Sequence, residues 1–357
     1  MKFAANILAL IGAAGCACYA LPAHAETQPA PAAARDGAHD FDFDFGVWRT
    51  RITRRVHALS GSNETIELNG TVTLRKVWDG RAQLEEIETD GPNGHWGGMS
   101  LFLYNPSAQQ WSQTFIGRKS GAFAGGLIGG FKDGRGELYA SDTLDGRAIL
   151  VRGVWSGITP TSHRYEESYS VDGGKTWEVQ LTANKTKLAD AAPTPPFKAA
   201  HDGSHDFDFN LGDWKTHSKR LLHPLTGSKD WLELDGTTHV APIWDGMASL
   251  AEFKANGASG PTELLALRVY NPTTKQWSIN FATPKAGTLG DVPGIGEAHN
   301  GRIDFYDQEP INGKATLVRF SIWSINADTA QSERAFSVDG GKTWEVNWID
   351  RHTRTPQ

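Results

Sequence analysis

The chain has 357 residues with 35 basic against 41 acidic side chains, a net charge of −6 with histidine neutral, and shows no basic face of the kind nucleic acid requires. Its 39 glycines and 13 tryptophans suit a turn-rich β protein with large aromatic core pieces. Both cysteines, Cys16 and Cys18, fall in a leader-like start, so the rest of the chain excludes disulfides, thiolate metal sites and cysteine nucleophiles.

That start has one lysine, Lys2, an apolar run from Phe3 to Ala14 and a small-residue exit, "AHA", at Ala23 to Ala25, the layout of a secretory signal over residues 1–25. The run is too short to span a bilayer and no later stretch is longer, so the mature chain is expected to have no integral membrane segment and to be secreted into the periplasm. Lipoprotein anchoring at Cys16 or Cys18 is the weaker alternative, because "AAGC" lacks a large aliphatic residue three positions upstream. Removal of Lys2 with the leader leaves 34 basic against 41 acidic residues, or −7. A Pro/Ala-rich segment, 26–35, is expected to be disordered.

From residue 36 one unit is written twice. "HDFDFDFGVW" at 39–48 returns 166 residues later as "HDFDFNLGDW" at 205–214, and the same offset carries "WDG" from Trp78 to Trp244, "YNP" from Tyr104 to Tyr270 and "QWS" from Gln110 to Gln276. "SVDGGKTWEV" at Ser170 reappears at Ser337, an offset of 167. Two homologous domains follow, 36–188 and 201–354, joined by a stiff linker, 189–200, with Pro193, Pro195 and Pro196.

The acidic residues of "HDFDFDF", at spacing two, invite comparison with a calcium loop. Such a loop wants glycine at its sixth position, where Phe45 stands, and glutamate at its twelfth, which is missing. The expectation is therefore an extended segment with phenylalanines on one face and aspartates on the other, with no metal. Further along, the periodicity is two. "ELLALRVY" puts Glu263, Leu265, Leu267 and Val269 on one face and Leu264, Ala266, Arg268 and Tyr270 on the other, while "LVRFSIW" alternates Val318, Phe320 and Ile322 against Arg319 and Ser321. The glycine-rich stretch at 121–131, "GAFAGGLIGGF", has neither Walker nor dinucleotide spacing. It and its counterpart "GTLGDVPGIGEAH" read as long connections near a barrel mouth. "SVDGGKTWEV" reads as a tight hairpin, with Asp172 and Asp339 accepting from turn amides and Trp177 and Trp344 leading the return strand. The same letters resemble the Asp-box of β-propellers, but one box per unit is too sparse for blades.

Gly46-x-Trp48 and Gly212-x-Trp214 resemble the G-x-W opening of lipocalins and the calycin superfamily. In each copy the order HDF, GxW, "WDG", "YNP" and a terminal "DGGKTW" hairpin followed by basic residues is similar to a bacterial lipocalin-like family. The resemblance covers nearly all of the chain after the leader and implies an all-β fold: two tandem antiparallel barrels, each closed at one end by its tryptophan. It also implies a basic side chain over that indole, with Arg351 or Arg354 available in the second copy and only Lys185 or Lys187 in the first.

Polar and aromatic residues shared by both copies supply the candidate ligand-binding set: Arg54, Glu86, Tyr104 and Trp111 in the first, and Arg220, Glu252, Tyr270 and Trp277 in the second. Glu86 and Glu252 share a strand face with Leu84 and Leu250, which is read as the barrel interior; there they would need partners, for which Arg54 and Arg220 are placed, and would be the acid/base candidates. Core packing competes as the role of the aromatic members, and exposure on the strand as that of the glutamates. The resulting expectation is a secreted binding protein for a small apolar or amphipathic molecule, with no cofactor. Its alternatives are an enzyme hydrating, cyclising or isomerising a terpenoid-like substrate, and a structural module with filled barrels.

Overall fold

A computed structural model describes residues 36–191, 202–257, 260–290 and 292–355. The leader, the 26–35 segment and residues 192–200 of the linker lie outside the described residues, as do both cysteines. Ten strands form the first barrel: β1 (Gly46–Arg55), β2 (Thr65–Val77), β3 (Ala82–Gly91), β4 (Gly94–Asn105), β5 (Gln110–Gly117), β6 (Leu127–Lys132), β7 (Arg135–Leu144), β8 (Arg147–Ser156), β9 (Ser162–Ser170) and β10 (Glu178–Ala189). The second repeats them as β11 (Gly212–Leu221), β12 (Trp231–Ile243), β13 (Ala248–Gly257), β14 (Gly260–Asn271), β15 (Gln276–Ala282), β16 (Gly294–His299), β17 (Arg302–Ile311), β18 (Lys314–Asn326), β19 (Thr329–Ser337) and β20 (Glu345–Arg354). In both, each strand pairs antiparallel with its sequence neighbours, and the last returns to the first. Closure removes the open edges that an antiparallel meander otherwise exposes.

The phenylalanine–aspartate stretch is not the expected extended segment. It folds into two single-turn 3-10 helices, Gly37–His39 and Asp42–Asp44, before β1 begins at Gly46. A period of two in the letters thus becomes a period of three in space, which turns Phe41 fully into the barrel end, leaves Phe43 partly covered and buries Asp44 completely. The Trp48 indole then donates from Nε1 to the Asp44 carbonyl at 2.7 Å, and Trp214 does the same to Asn210 at 2.8 Å. Over these rings sit Lys187 Nζ, 5.2 Å from the Trp48 centroid, and the Arg354 guanidinium, 4.1 Å from that of Trp214. A lysine therefore does in the first barrel what an arginine does in the second.

Burial shows how the barrels meet. In β4, residues Met99 to Tyr104 are buried without a break, because one face fills the barrel and the other packs on its neighbour. The shared layer contains Leu84, Met99, Leu101 and Leu103 from the first barrel with Leu250, Leu265, Leu267 and Val269 from the second. Around it, Arg81 forms a two-pronged ion pair with Glu263 at 2.8 and 2.9 Å. Trp78 and Trp244 are buried in the same layer although each has positive φ, 49° and 52°, at the start of its "WDG" turn.

The glycine-rich connections reach across to the other barrel. Ser112 Oγ donates to the Gly287 carbonyl at 2.6 Å and Asn105 Nδ2 to that of Ala286 at 3.1 Å, while a Cβ placed on Gly121 would come within 2.8 Å of the Tyr270 carbonyl oxygen. Gly287 has φ +62°, and a Cβ there would meet Asn105 Cα at 2.5 Å. Gly287→Ala is therefore expected to lower stability by about 1–3 kcal/mol, the cost of a strained backbone position. Urea unfolding measures it; a variant as stable as wild type would show that the crossing loop carries no constraint.

The hairpin between β9 and β10 is held by its own side chains. Asp172 accepts from the Lys175 and Thr176 amides at 3.0 and 2.9 Å and from Thr176 Oγ1 at 2.6 Å, and Ser170 Oγ donates to it at 2.8 Å. Asp339 repeats the arrangement in the second barrel. Hydrogen bonds from the threonine hydroxyl and amide bring both carboxyls down to about 2. The Trp177 and Trp344 rings are stacked under Arg152 and Arg319, at 4.5 and 4.7 Å.

Candidate functional site

The two interiors differ at equivalent positions. At the centre of the first barrel Phe41 meets Phe102, Trp111 and Trp155 at centroid separations of 4.9, 5.1 and 5.0 Å, and Trp155 meets Tyr165 at 4.8 Å. In the second, the repeat offset and the strand register place Phe207 where Phe41 stands, Arg268 where Phe102 stands, Ile322 for Trp155 and Ser332 for Tyr165. Isoleucine and serine thus stand for two large rings, with Phe320 where the first barrel has Gly153, and among them lies a chamber of about 60 Å³, several times what one water needs and less than half of the cavity that holds a benzene. Its walls are mostly apolar, with Ala251, Phe253, Leu264, Phe281, Phe320 and Ile322 among them.

The chamber's polar groups are Arg268, His352, Asp350, Ser332, Thr238 and Asn210, with the Trp348 indole beside them. Arg268 is 4% exposed. Its Nη1 donates to Asn210 Oδ1 at 2.7 Å, its guanidinium lies 4.7 Å from the Phe207 centroid, and its Nε meets no acceptor. Among the described residues no carboxylate oxygen lies within ion-pair distance of it. Burial pulls this guanidinium down to about 9, which still leaves it charged at neutral pH. Asp350 is engaged elsewhere: it accepts from Trp348 Nε1 at 2.7 Å, from Ser332 Oγ at 3.0 Å and from Ser218 Oγ. His352 contacts Thr216 Oγ1 through Nδ1 at 3.0 Å and Ser332 Oγ through Nε2 at 3.4 Å. Burial pushes its imidazole below the usual range, against the pull of Asp350 and with a smaller push from Arg268, so it sits neutral at pH 7.

The corresponding space in the first barrel holds a closed ion network. Lys185, in the position of His352, lies 2.8 Å from Glu85 and 3.3 Å from Asp44, and His163 Nε2 is 3.1 Å from Asp44. Every member of this network is nearly or fully buried. Here each cation has a protein carboxylate, and in the second barrel Asn210 and Ala251 stand where Asp44 and Glu85 do.

The residues singled out from the sequence are dispersed. Glu86 and Glu252 do share the face of Leu84 and Leu250, but that face points out of the barrels toward the neighbouring one, not into the interior. Glu86 pairs with Arg75 on the adjacent strand, and Glu252 approaches the Trp78 amide of the other barrel at 3.4 Å. The reason is that each barrel's apolar outer face is covered by the other, so leucines mark the contact as well as the core. Arg54 and Arg220 lie on the inward face of β1 and β11, beyond Ile52 and Ser218, and Arg220 stacks 5.4 Å from the Trp348 ring. Neither is bonded to the glutamates. Trp111 and Trp277 donate from Nε1 to the Gly37 and Gly203 carbonyls at 2.9 Å, and Tyr104 and Tyr270 pack on them at 5.3 and 5.5 Å. These four aromatics anchor the segment that plugs each barrel end. Arg268, Asp350 and His352 stand where the first copy has Phe102, Ala183 and Lys185, so residues common to both copies do not include them, and the chamber is made by those that differ. Comparing the copies at inward positions of β14, β18, β19 and β20 is the signal that finds them.

The fold class is thus a tandem pair of closed ten-strand antiparallel barrels, the second of which has this small chamber among its described residues. No protein-family model matches the sequence, and no curated protein matches it significantly. Among solved structures, the chain is similar to a protein of unknown function from the DUF3598 family of Nostoc punctiforme, at 10% identity over 90% of this chain and 100% of that one, with a TM-score of 0.26. It is also similar to an S-type phycobiliprotein lyase from Guillardia theta, at 9% identity over 42% of this chain and 91% of that one, with a TM-score of 0.30. A third is a putative AttH from Nitrosomonas europaea, at 12% identity, 90% and 98% coverage and a TM-score of 0.16. Likenesses of this strength transfer no function.

Proposed function

We propose that this protein is a secreted, periplasmic binding protein whose second barrel holds a small, largely apolar molecule, and whose first barrel is a filled scaffold packed against it. The observation that carries this reading is the chamber itself, where Ile322 and Ser332 stand at the inward positions of Trp155 and Tyr165 and apolar side chains surround a few convergent polar groups. Glu86 and Glu252, the residues first considered for acid/base chemistry, lie on the outer faces and have no access to that chamber.

Native mass spectrometry of the protein isolated from its own source tests the proposal. The expected result is an added mass that is lost on denaturation. Ile322→Trp combined with Ser332→Tyr and Phe320→Gly, the last because Tyr165 packs on Gly153 where the second barrel has Phe320, borrows the first barrel's own filling, and this variant is expected to carry no added mass while remaining folded. Equal added mass on the filled variant would place the ligand elsewhere, and none on the wild type would favour a purely structural pair of barrels.

A further inference from the structure

Resting on the reading of the second barrel as a ligand chamber, we infer that its ligand is a small organic carboxylate whose apolar body lies against Phe253, Phe281, Phe320 and Ile322 and whose head is held by Arg268. Arginine presents five N–H donors in a planar fork suited to a carboxylate. Here one donor is given to a neutral amide oxygen, Asn210 Oδ1, and Nε has no acceptor at all.

A buried cation facing only a neutral partner is costly unless something supplies the opposite charge. The first barrel shows what this protein does when the charge is meant to be silent: Lys185 is given two carboxylates, Asp44 and Glu85. At the equivalent places around the second chamber those carboxylates are exchanged for Asn210 and Ala251. The one carboxylate in the wall, Asp350, is held by Ser218, Ser332 and Trp348. The neutral imidazole of His352 and the Thr238 hydroxyl complete a polar end in which Asp350 is the one protein carboxylate and is turned to other donors, not to Arg268.

The test is a titration of the full mature chain, freed of bound ligand by unfolding and refolding, with propionate and with its neutral isostere propionamide, probes short enough for a chamber of about 60 Å³. Binding is followed by calorimetry and by the indole N–H resonance of Trp348, which reports from the chamber wall. Propionate is expected to bind at least tenfold more tightly than propionamide. Arg268→Met, which keeps the stem and removes the fork, is expected to abolish that preference while leaving propionamide binding within about twofold of wild type. Arg268→Gln, should the methionine variant not fold, makes the same comparison with a neutral polar side chain. Equal affinity for both probes, lost together in the Phe320→Gly/Ile322→Trp/Ser332→Tyr variant, would overturn the carboxylate inference and leave the chamber reading standing. Binding of neither probe would overturn both, and a propionate preference that survives in both Arg268 variants would move the anion site off Arg268.

Discussion

Lys185→Met is expected to destabilise the protein by about 3–5 kcal/mol at neutral pH, because it leaves two carboxylates buried without the ammonium that pairs with both. Lys185 is 4% exposed and Asp44 is fully buried, so water cannot take over the lost role. Burial by itself drives Asp44 up and Lys185 down, but in each case the opposite charges outweigh it: Lys185 and His163 hold the Asp44 carboxyl below its ordinary value of 3.8, and Asp44 and Glu85 hold the Lys185 ammonium above 10.5. The wild-type contribution from Asp44 is therefore present above about pH 4 and lost as pH falls through its lowered folded value. That from Lys185 is present below about pH 10 and lost as pH rises through its raised one.

In the variant the sign reverses at the acidic end. An unpaired buried carboxyl titrates above its unfolded value, so the folded state binds more protons than the unfolded one and gains stability as pH falls. The stability gap between wild type and variant should be wider at pH 8 than at pH 5, measured by urea unfolding at both. A gap that is small, or the same at both, would mean the network is not closed in the way described.

Phe41→Ala is expected to cost about 3–5 kcal/mol, the range for deleting a fully enclosed aromatic ring. Four rings, those of Phe102, Trp111, Phe131 and Trp155, stand 4.8 to 5.1 Å from it, and none can collapse far because each is fixed by a barrel strand. Phe43→Ala is expected to cost less than half as much, since Phe43 is only partly covered. A flat extended segment would bury the two rings alike, so equal costs for Phe41→Ala and Phe43→Ala would contradict the 3-10 turns.

The inferred chamber carries a related consequence. A scaffold barrel that is filled and internally neutralised can be rigid, whereas a chamber holding an unpaired arginine gives up stability for recognition. Arg268→Met is therefore expected to melt no lower than the wild type without ligand, although Asn210 Oδ1 loses its donor.

The duplication is legible as repeated letters, and the strand alternation and turns are legible because they are local: a period of two, a glycine at positive φ and an Asp-centred hairpin need no knowledge of the partner strands, whereas the closing tryptophan came only with the resemblance to lipocalins. The sequence also divided "ELLALRVY" correctly into its two faces. What it did not decide is which face is inside. Leu265, Leu267 and Val269 look like the core face and instead meet the neighbouring barrel, while the face with Arg268 lines the chamber. The same ambiguity sent Glu86 and Glu252 outward, and it let Asp44, on the face opposite the phenylalanines in the letters, become the centre of a buried network. Hydrophobicity records only that a residue leaves water, and a barrel buried against another has two ways to satisfy that. Only the tertiary structure, by closing each sheet and docking its outer leucines on its twin, decided which polar side chains were enclosed.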